Sequence, residues 1–346
     1  MRNALRLVVP VALVSSLFAA GPARSEDAAK IPMVLKLEKG AAADYKQHVT
    51  STTDIAMAQG MAMNSSNEVH RAWSVKVTAV EEGGGGTVDA KFGRIHGSST
   101  SMMGATEFDS EKADAAPDPG NPMAAMGAGM TKAFTALAGK TATAKIAKDG
   151  KIGEVTGLDG VADAAGGGNP FAKGLAQANS SPSAVKGCLQ GCFIKVPEKP
   201  VGVGDTWTDE VKQDAMGGMK ITVALTFKVT AMDADTTTVG VEGKMTADPA
   251  EPAPAGGAGR GGRGGMGDMM KGIVLEKGDM KGTCKVSRKD GMVILLDSQV
   301  DMLMKGADGT PSAGSSVTMS TKNRIERVVA AATPTPATPA TPPATK

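Results

Sequence analysis

Three histidines, His48, His70 and His96, are the only imidazoles in the 346 residues, and imidazole is the side chain here best suited to coordination chemistry. Turns near Gly60 and Gly84 place them on three successive strands at matching heights. His48 and His70 share the outward parity. His96 joins them if a β-bulge at Gly93 shifts the alternation between Phe92 and Ile95. Imidazoles that converge in this way bind Zn²⁺ or Cu²⁺. A register slip of one residue would turn a ring to the opposite face and leave ordinary solvated histidines.

Methionine is the second soft donor, with 22 copies. It clusters at Met57, Met61 and Met63; Met102 and Met103; Met123, Met126 and Met130; Met216 and Met219; and Met266, Met269 and Met270. Thioethers hold Cu(I), but the same residue fills adaptable apolar surfaces. Cys188 and Cys192 are close enough in the chain for a local disulfide, while Cys284 shares the parity of Val286 and reads as a buried thiol. Closing so short a loop adds little stability.

The remaining motifs carry no reaction. Ser183-Ala184-Val185-Lys186 matches a Ser-x-x-Lys nucleophile but lacks its Ser-Asp-Asn and Lys-Thr-Gly partners. Gly259 to Gly265, with Arg260 and Arg263, has no aromatic to stack on bases, and the net charge is only +2, so no nucleic-acid partner is implied. No Gly-x-Ser-x-Gly elbow, His-Glu-x-x-His helix or phosphate loop occurs. The chain reads as non-enzymatic, with no cofactor.

The elements that must position these side chains are mostly strands. Ile221, Val223, Leu225, Phe227 and Val229 alternate with Thr222, Ala224, Thr226, Lys228 and Thr230, the period of a half-buried antiparallel strand. Val69, Trp73, Val75 and Val77 do the same earlier, followed by Val88, Ala90 and Phe92. Met292, Ile294, Leu296, Val300, Met302 and Met304 form another apolar face, and Val317 to Val328 a closing strand. Lys76-Val77-Thr78-Ala79 recurs as Lys228-Val229-Thr230-Ala231. Lys148-Asp149-Gly150 recurs as Lys289-Asp290-Gly291, each predicting a hairpin with the type I′ turn that Asp-Gly favours. Two similar units in tandem follow from such recurrence. Pro122 to Leu137 is a short helix; Leu158 to Ala184 is weaker, interrupted by Gly166-Gly167-Gly168-Asn169-Pro170.

The predicted organisation is a signal peptide over 1–25, a first β unit with short helices over 26–196, a second over 197–330 and a disordered Pro/Thr/Ala tail over 331–346. The second unit carries a Gly/Pro-rich loop at 248–267. Arg2 and Arg6, the apolar run Leu7 to Ala20 and the small residues of Ala23-Arg24-Ser25 make the leader, which directs the chain to a periplasm or outside the cell. The apolar run is shorter than the roughly 20 residues of a membrane span. Aromatics are 3% of residues, so the core is built from Val, Ile, Leu, Ala and Met.

The phrase Val196-Pro197-Glu198-Lys199-Pro200-Val201-Gly202-Val203-Gly204-Asp205-Thr206-Trp207, with Met216 to Lys220 after it, resembles a family of exported bacterial β proteins carrying a domain of unknown function. Leu37-Glu38-Lys39-Gly40 with Asp44-Tyr45-Lys46 resembles the same opening, with Ala41-Ala42-Ala43 inserted. The resemblance implies organisation and export, and no catalytic residue.

The fold class expected is mainly β: two repeated antiparallel curved sheet units with a few short helices. The function expected is a periplasmic binding or envelope-associated protein for an apolar, lipid-like ligand, lined by Trp73, Val75, Ile294, Leu296, Met302 and Met304. The alternatives are a metal-handling protein using the Met clusters and histidines, and a purely structural envelope component.

Overall fold

The computed structural model describes residues 30–57, 60–102, 104–112, 122–166, 169–214, 220–247, 272–307, 310 and 312–328. The expected leader, the Gly/Pro-rich loop and the C-terminal tail lie outside them.

The described residues form twelve strands and four helices: β1 (Ala42–Ala56), β2 (Ala62–Val80), β3 (Gly86–Ser101), β4 (Gly104–Asp109), α1 (Pro122–Leu137), β5 (Thr141–Ile146), β6 (Ile152–Thr156), α2 (Val161–Gly166), α3 (Pro170–Ser180), α4 (Pro182–Gln190), β7 (Thr206–Asp214), β8 (Lys220–Met232), β9 (Thr236–Ala247), β10 (Ile273–Ser287), β11 (Val293–Gly306) and β12 (Ser316–Val328). The protein is mainly β and antiparallel, with few short helices. Its strands join into one sheet rather than two, in the order β6-β5-β3-β2-β1-β12-β11-β10-β9-β8-β7, with β4 on β3. β12 is the join. It pairs β1 from Asp44↔Val328 to Ala56↔Ser316 on one edge and β11 on the other.

Alternation decides which side chains are covered. Tyr45, Trp73, Val75, Val77, Val88, Ala90, Phe92, Val229, Val239, Cys284 and Ile325 share one buried face. The opposite face carries Lys, Glu, Asp, Thr and the histidines. Helices pack mainly over the first half of the buried face: α1 on β3 and β4, α4 on β6, and α1, α2 and α3 on one another, while Gly191 at the end of α4 reaches Ile325 of β12. Phe108 and Phe134 meet there at 4.9 Å between ring centroids. The Gly/Asn/Pro interruption starts a helix instead of ending the helical region. Asn169 Oδ1 accepts from Ala172 N at 3.1 Å and Pro170 takes the first turn, where its missing N–H costs nothing. Ser181 and Pro182 repeat the device for α4, Ser181 Oγ accepting from Ala184 N at 3.2 Å.

The two Lys-Val-Thr-Ala phrases fall at corresponding places, on β2 and β8, and each carries a bulge. Val77 pairs Val88 but Ala79 pairs Thr87; Val229 pairs Val239 but Ala231 pairs Thr238. In both, the threonine hydroxyl donates to the next strand, Thr78 to Thr87 O at 3.1 Å and Thr230 to Thr238 O at 3.3 Å. The Lys-Asp-Gly turns differ from expectation. A type I′ turn needs positive φ at two residues, yet only Gly150 and Gly291 have it, at 84° and 75°; no described non-glycine residue does. Gly150 therefore closes a longer loop, bounded by Ala147 N donating to Lys151 O at 2.9 Å, and Gly291 one bounded by Ser287 N donating to Met292 O at 2.9 Å.

Candidate functional site

Two regions emerge, one on each face of the sheet. On the outward face the three histidines form a row. His48 is the direct cross-strand partner of His70, and His70 of His96. His96 reaches that row because the register shifts between Arg71↔Ile95 and Trp73↔Phe92, which places the extra residue at Gly93–Arg94. The rings stack, His48 on His70 at 4.3 Å and 6°, His70 on His96 at 4.9 Å and 12°.

Glu68, which sequence reasoning passed over, completes the cluster. It lies two residues before His70 and so on the same face. Its Oε1 is 2.9 Å from His48 Nε2 and 3.0 Å from His70 Nε2. These hydrogen bonds, His70's first, hold the Glu68 carboxyl below its ordinary pKa. Donor atoms of His48, Glu68 and His70 all lie within 4.8 Å of one another. His96 is outside that set and stacks behind His70. Its Nδ1 is buried with no hydrogen-bond partner, and burial lowers its pKa. The side chains of His48, Glu68 and His70 are 43%, 47% and 39% exposed, so solvent reaches the cluster.

Beyond His48 the outward face opens into a groove of about 580 Å³ lined by polar and charged groups, among them Thr50, Lys281, Gln299, Lys322 and Arg324. Arg324, opposite His48 on β12, is turned to acidic partners, Asp297 Oδ2 at 3.2 Å and Glu326 Oε2 at 3.8 Å.

The residues expected to line an apolar site do not gather in one place. Trp73 and Val75 are 3% and 1% exposed and Leu296 is 8% exposed, all within the main packed core. Ile294 sits at a register shift, where Lys285 pairs Leu295 but Val286 pairs Val293; Val293 takes the buried position and Ile294 is half-buried. Met304 is buried. Met302 is half-buried and belongs to a second cluster, with Leu225, Met280 and Val300 around buried Ile221, Val223 and Met245, which adjoins the main core through Leu225 and Met280.

Cys188 and Cys192 are free, buried thiols rather than a bridge. α4 and the turn after it direct Cys192 Sγ toward the Cys188 carbonyl, 3.8 Å away, in the core beside Tyr45 and Trp73. Of the methionine clusters, Met61 and Met102 are exposed at the β1–β2 and β3–β4 turns, and Met57, Met63, Met126 and Met130 are half-buried. Met103, Met216, Met219, Met266, Met269 and Met270 lie outside the described residues, as does the side chain of Met123.

The model of a family of unknown function, DUF6263, matches residues 84–293, more than half of the chain. The chain belongs to this family. No curated protein matches the sequence. Among solved structures, one titled for lipid–protein interactions in lipovitellin is similar at 7% identity and a TM-score of 0.43, over 85% of this chain and 26% of that one. An outer membrane channel from Pseudomonas putida F1 gives 8% identity and a TM-score of 0.22, over 85% and 97%. The chain thus spans about a quarter of the lipovitellin chain, and both scores are too low to assign a fold or a ligand. None of the described helices is long and apolar enough to cross a membrane.

Proposed function

We propose that this DUF6263 member is an exported binding protein for a flexible apolar ligand of the acyl-chain class, held on the inner face of the second half of the sheet. The observation that carries the reading is the half-buried group Leu225, Met280, Val300 and Met302 on that face. The described helices pack mainly on the first half, against β3, β4 and β6, and none of them packs comparably on β8, β10 or β11. Methionine suits such a surface because its unbranched thioether re-packs around chains of different shape. Gly243 and Gly278 let Leu225, Met280 and Met245 pack down against the backbone of the same area. Export rests on the basic, apolar and small-residue pattern of residues 1–25. Trp73, Val75 and Leu296 serve the core in this reading, and the ligand surface centres on Met302.

The test is binding of a fluorescent fatty acid to the purified protein and to Met302→Asn, with circular dichroism as the control for folding. The expected result is binding by the wild type and at least several-fold weaker binding by the variant, with an unchanged spectrum. Equal affinity, or no binding by the wild type, would overturn the reading and favour a purely structural role.

A further inference from the structure

The outward face carries chemistry that an apolar carrier does not use. We propose that His48, Glu68 and His70 form a binding site for one Zn²⁺-class divalent ion, with at least one coordination position left open to solvent.

The local sequence builds the site in three steps. Extended backbone puts Glu68 and His70, two residues apart, on one face of β2. The β1–β2 register then sets His48 directly across from His70. Parallel stacking at 4.3 Å keeps the two imidazoles side by side, and both direct Nε2 at the same Glu68 oxygen. That oxygen and the two Nε2 atoms are the three donors a cation would bridge.

Tetrahedral zinc holds nitrogen and oxygen at about 2.0–2.2 Å, which separates neighbouring ligand atoms by about 3.3 Å. The nitrogen–oxygen separations here are 2.9 and 3.0 Å and all three donors lie within 4.8 Å of one another, so metal entry spreads each nitrogen–oxygen pair by a few tenths of an ångström. Two imidazoles and a carboxylate are a borderline donor set that suits Zn²⁺ and excludes a preference for Mg²⁺ or Ca²⁺, which take oxygen ligands. The ion displaces the protons that the two Nε2 atoms share with the carboxylate.

The surroundings support charge balance. Arg324, the nearest cation across β12, is neutralised by Asp297 and Glu326. Thr50 and Ser98, the cross-strand partners of Glu68, are neutral. His96 stacks on His70 at 4.9 Å and stands outside the donor set.

The experiment is calorimetric titration of the untagged, metal-stripped protein with Zn²⁺, alongside His48→Ala, His70→Ala, Glu68→Gln and the double variant His48→Ala/His70→Ala. These side chains are on the surface, and circular dichroism of each variant checks the fold. The expected result is one equivalent bound by the wild type, at least tenfold weaker binding by each single variant and none by the double variant. Co²⁺ in place of Zn²⁺ should give visible bands of a four- or five-coordinate ion, lost in the double variant. Zinc binding that is unchanged in the double variant, or absent in the wild type, would overturn the proposal. Met302→Asn should bind zinc as the wild type does, so the apolar-ligand reading and this site can fail separately.

Discussion

Gly291 lies directly beneath the carbonyl of Val34: a Cβ added there would come within 2.3 Å of that oxygen. Gly150 stands in the same relation to Ile194, at 2.2 Å. Each glycine closes a Lys-Asp-Gly turn, and each turn is crossed by a strap of chain from elsewhere. Lys36 N donates to Asp290 O at 2.9 Å and Val196 N to Asp149 O at 2.8 Å. The N-terminal segment thus fastens a turn of the second half, and the segment after α4 a turn of the first.

Substitution should expose the difference between strain and collision. Gly40 has a positive φ of 87° but open space around its Cβ position, so Gly40→Ala carries only the left-handed penalty, about 1–2 kcal/mol. Gly150→Ala and Gly291→Ala add the displacement of a strap backbone. Each is expected to cost about 1–3 kcal/mol more than Gly40→Ala, the scale of overpacking. Urea unfolding of the three variants measures it; equal losses would mean that the straps yield freely.

Asp109 should set part of the acid response. It is 5% exposed at the end of β4, accepts from Arg94 Nε at 3.0 Å and Nη2 at 2.6 Å, and takes a further bond from Glu111 N at 3.1 Å. The Arg94 bonds are the main reason its pKa falls to about 2. An unfolded aspartate titrates near 3.9. A carboxylate depressed by folding stabilises fully above its unfolded pKa, and that contribution disappears as pH falls through the folded one. Asp109→Asn should therefore lower the melting temperature at pH 7 and flatten its decline between about pH 4 and pH 2. An unaltered pH profile would show that Arg94 and Asp109 are not paired in solution.

Much of this arrangement is legible in residue order, because strand parity is a local property. The histidine row follows from parity plus one bulge at Gly93, and Glu68 was within reach by the same count, since it shares parity with His70. The strand alternation around Phe227 and Val241 gave the buried face directly. The two-sided environment of the sheet was not legible. Alternation says that Met302 and Trp73 face inward, but only tertiary packing decides that Trp73 is sealed in the core beside Tyr45 and Cys192 while Met302 keeps a half-buried position. Ile294 shows the same limit on a smaller scale. A β-bulge gave its place to Val293, and no glycine or turn residue marks that bulge.

Val293 also meets the one tyrosine. Tyr45 is 1% exposed and its hydroxyl donates to Val293 O at 3.1 Å, a bond between β1 and β11 across the intervening β12. Burial raises the phenol pKa well above its ordinary value. Tyr45→Phe keeps the ring stacked on Trp73, at 5.8 Å, and removes only the bond. The expected loss is about 1 kcal/mol, the net worth of a neutral buried hydrogen bond. Urea unfolding measures it, and a neutral result would mean that water replaces the hydroxyl.

The thiols give the sharpest check on the core. Cys188, Cys192 and Cys284 are free and buried, and burial pushes the Cys284 pKa up to about 12 and the Cys192 pKa higher still. Only a thiolate attacks a disulfide reagent, so these two sites are protected twice, by access and by ionisation. In the native protein at pH 8, a chromogenic disulfide reagent should find no rapidly reacting thiol. Unfolding in denaturant should release all three at the rate of global unfolding. A single thiol in the unfolded chain would mean that Cys188 and Cys192 had joined, which needs the turn after α4 to open and Cys192 to leave its place beside Tyr45 and Trp73. Rapid reaction of the native protein would mean that this part of the core opens well below the global unfolding free energy.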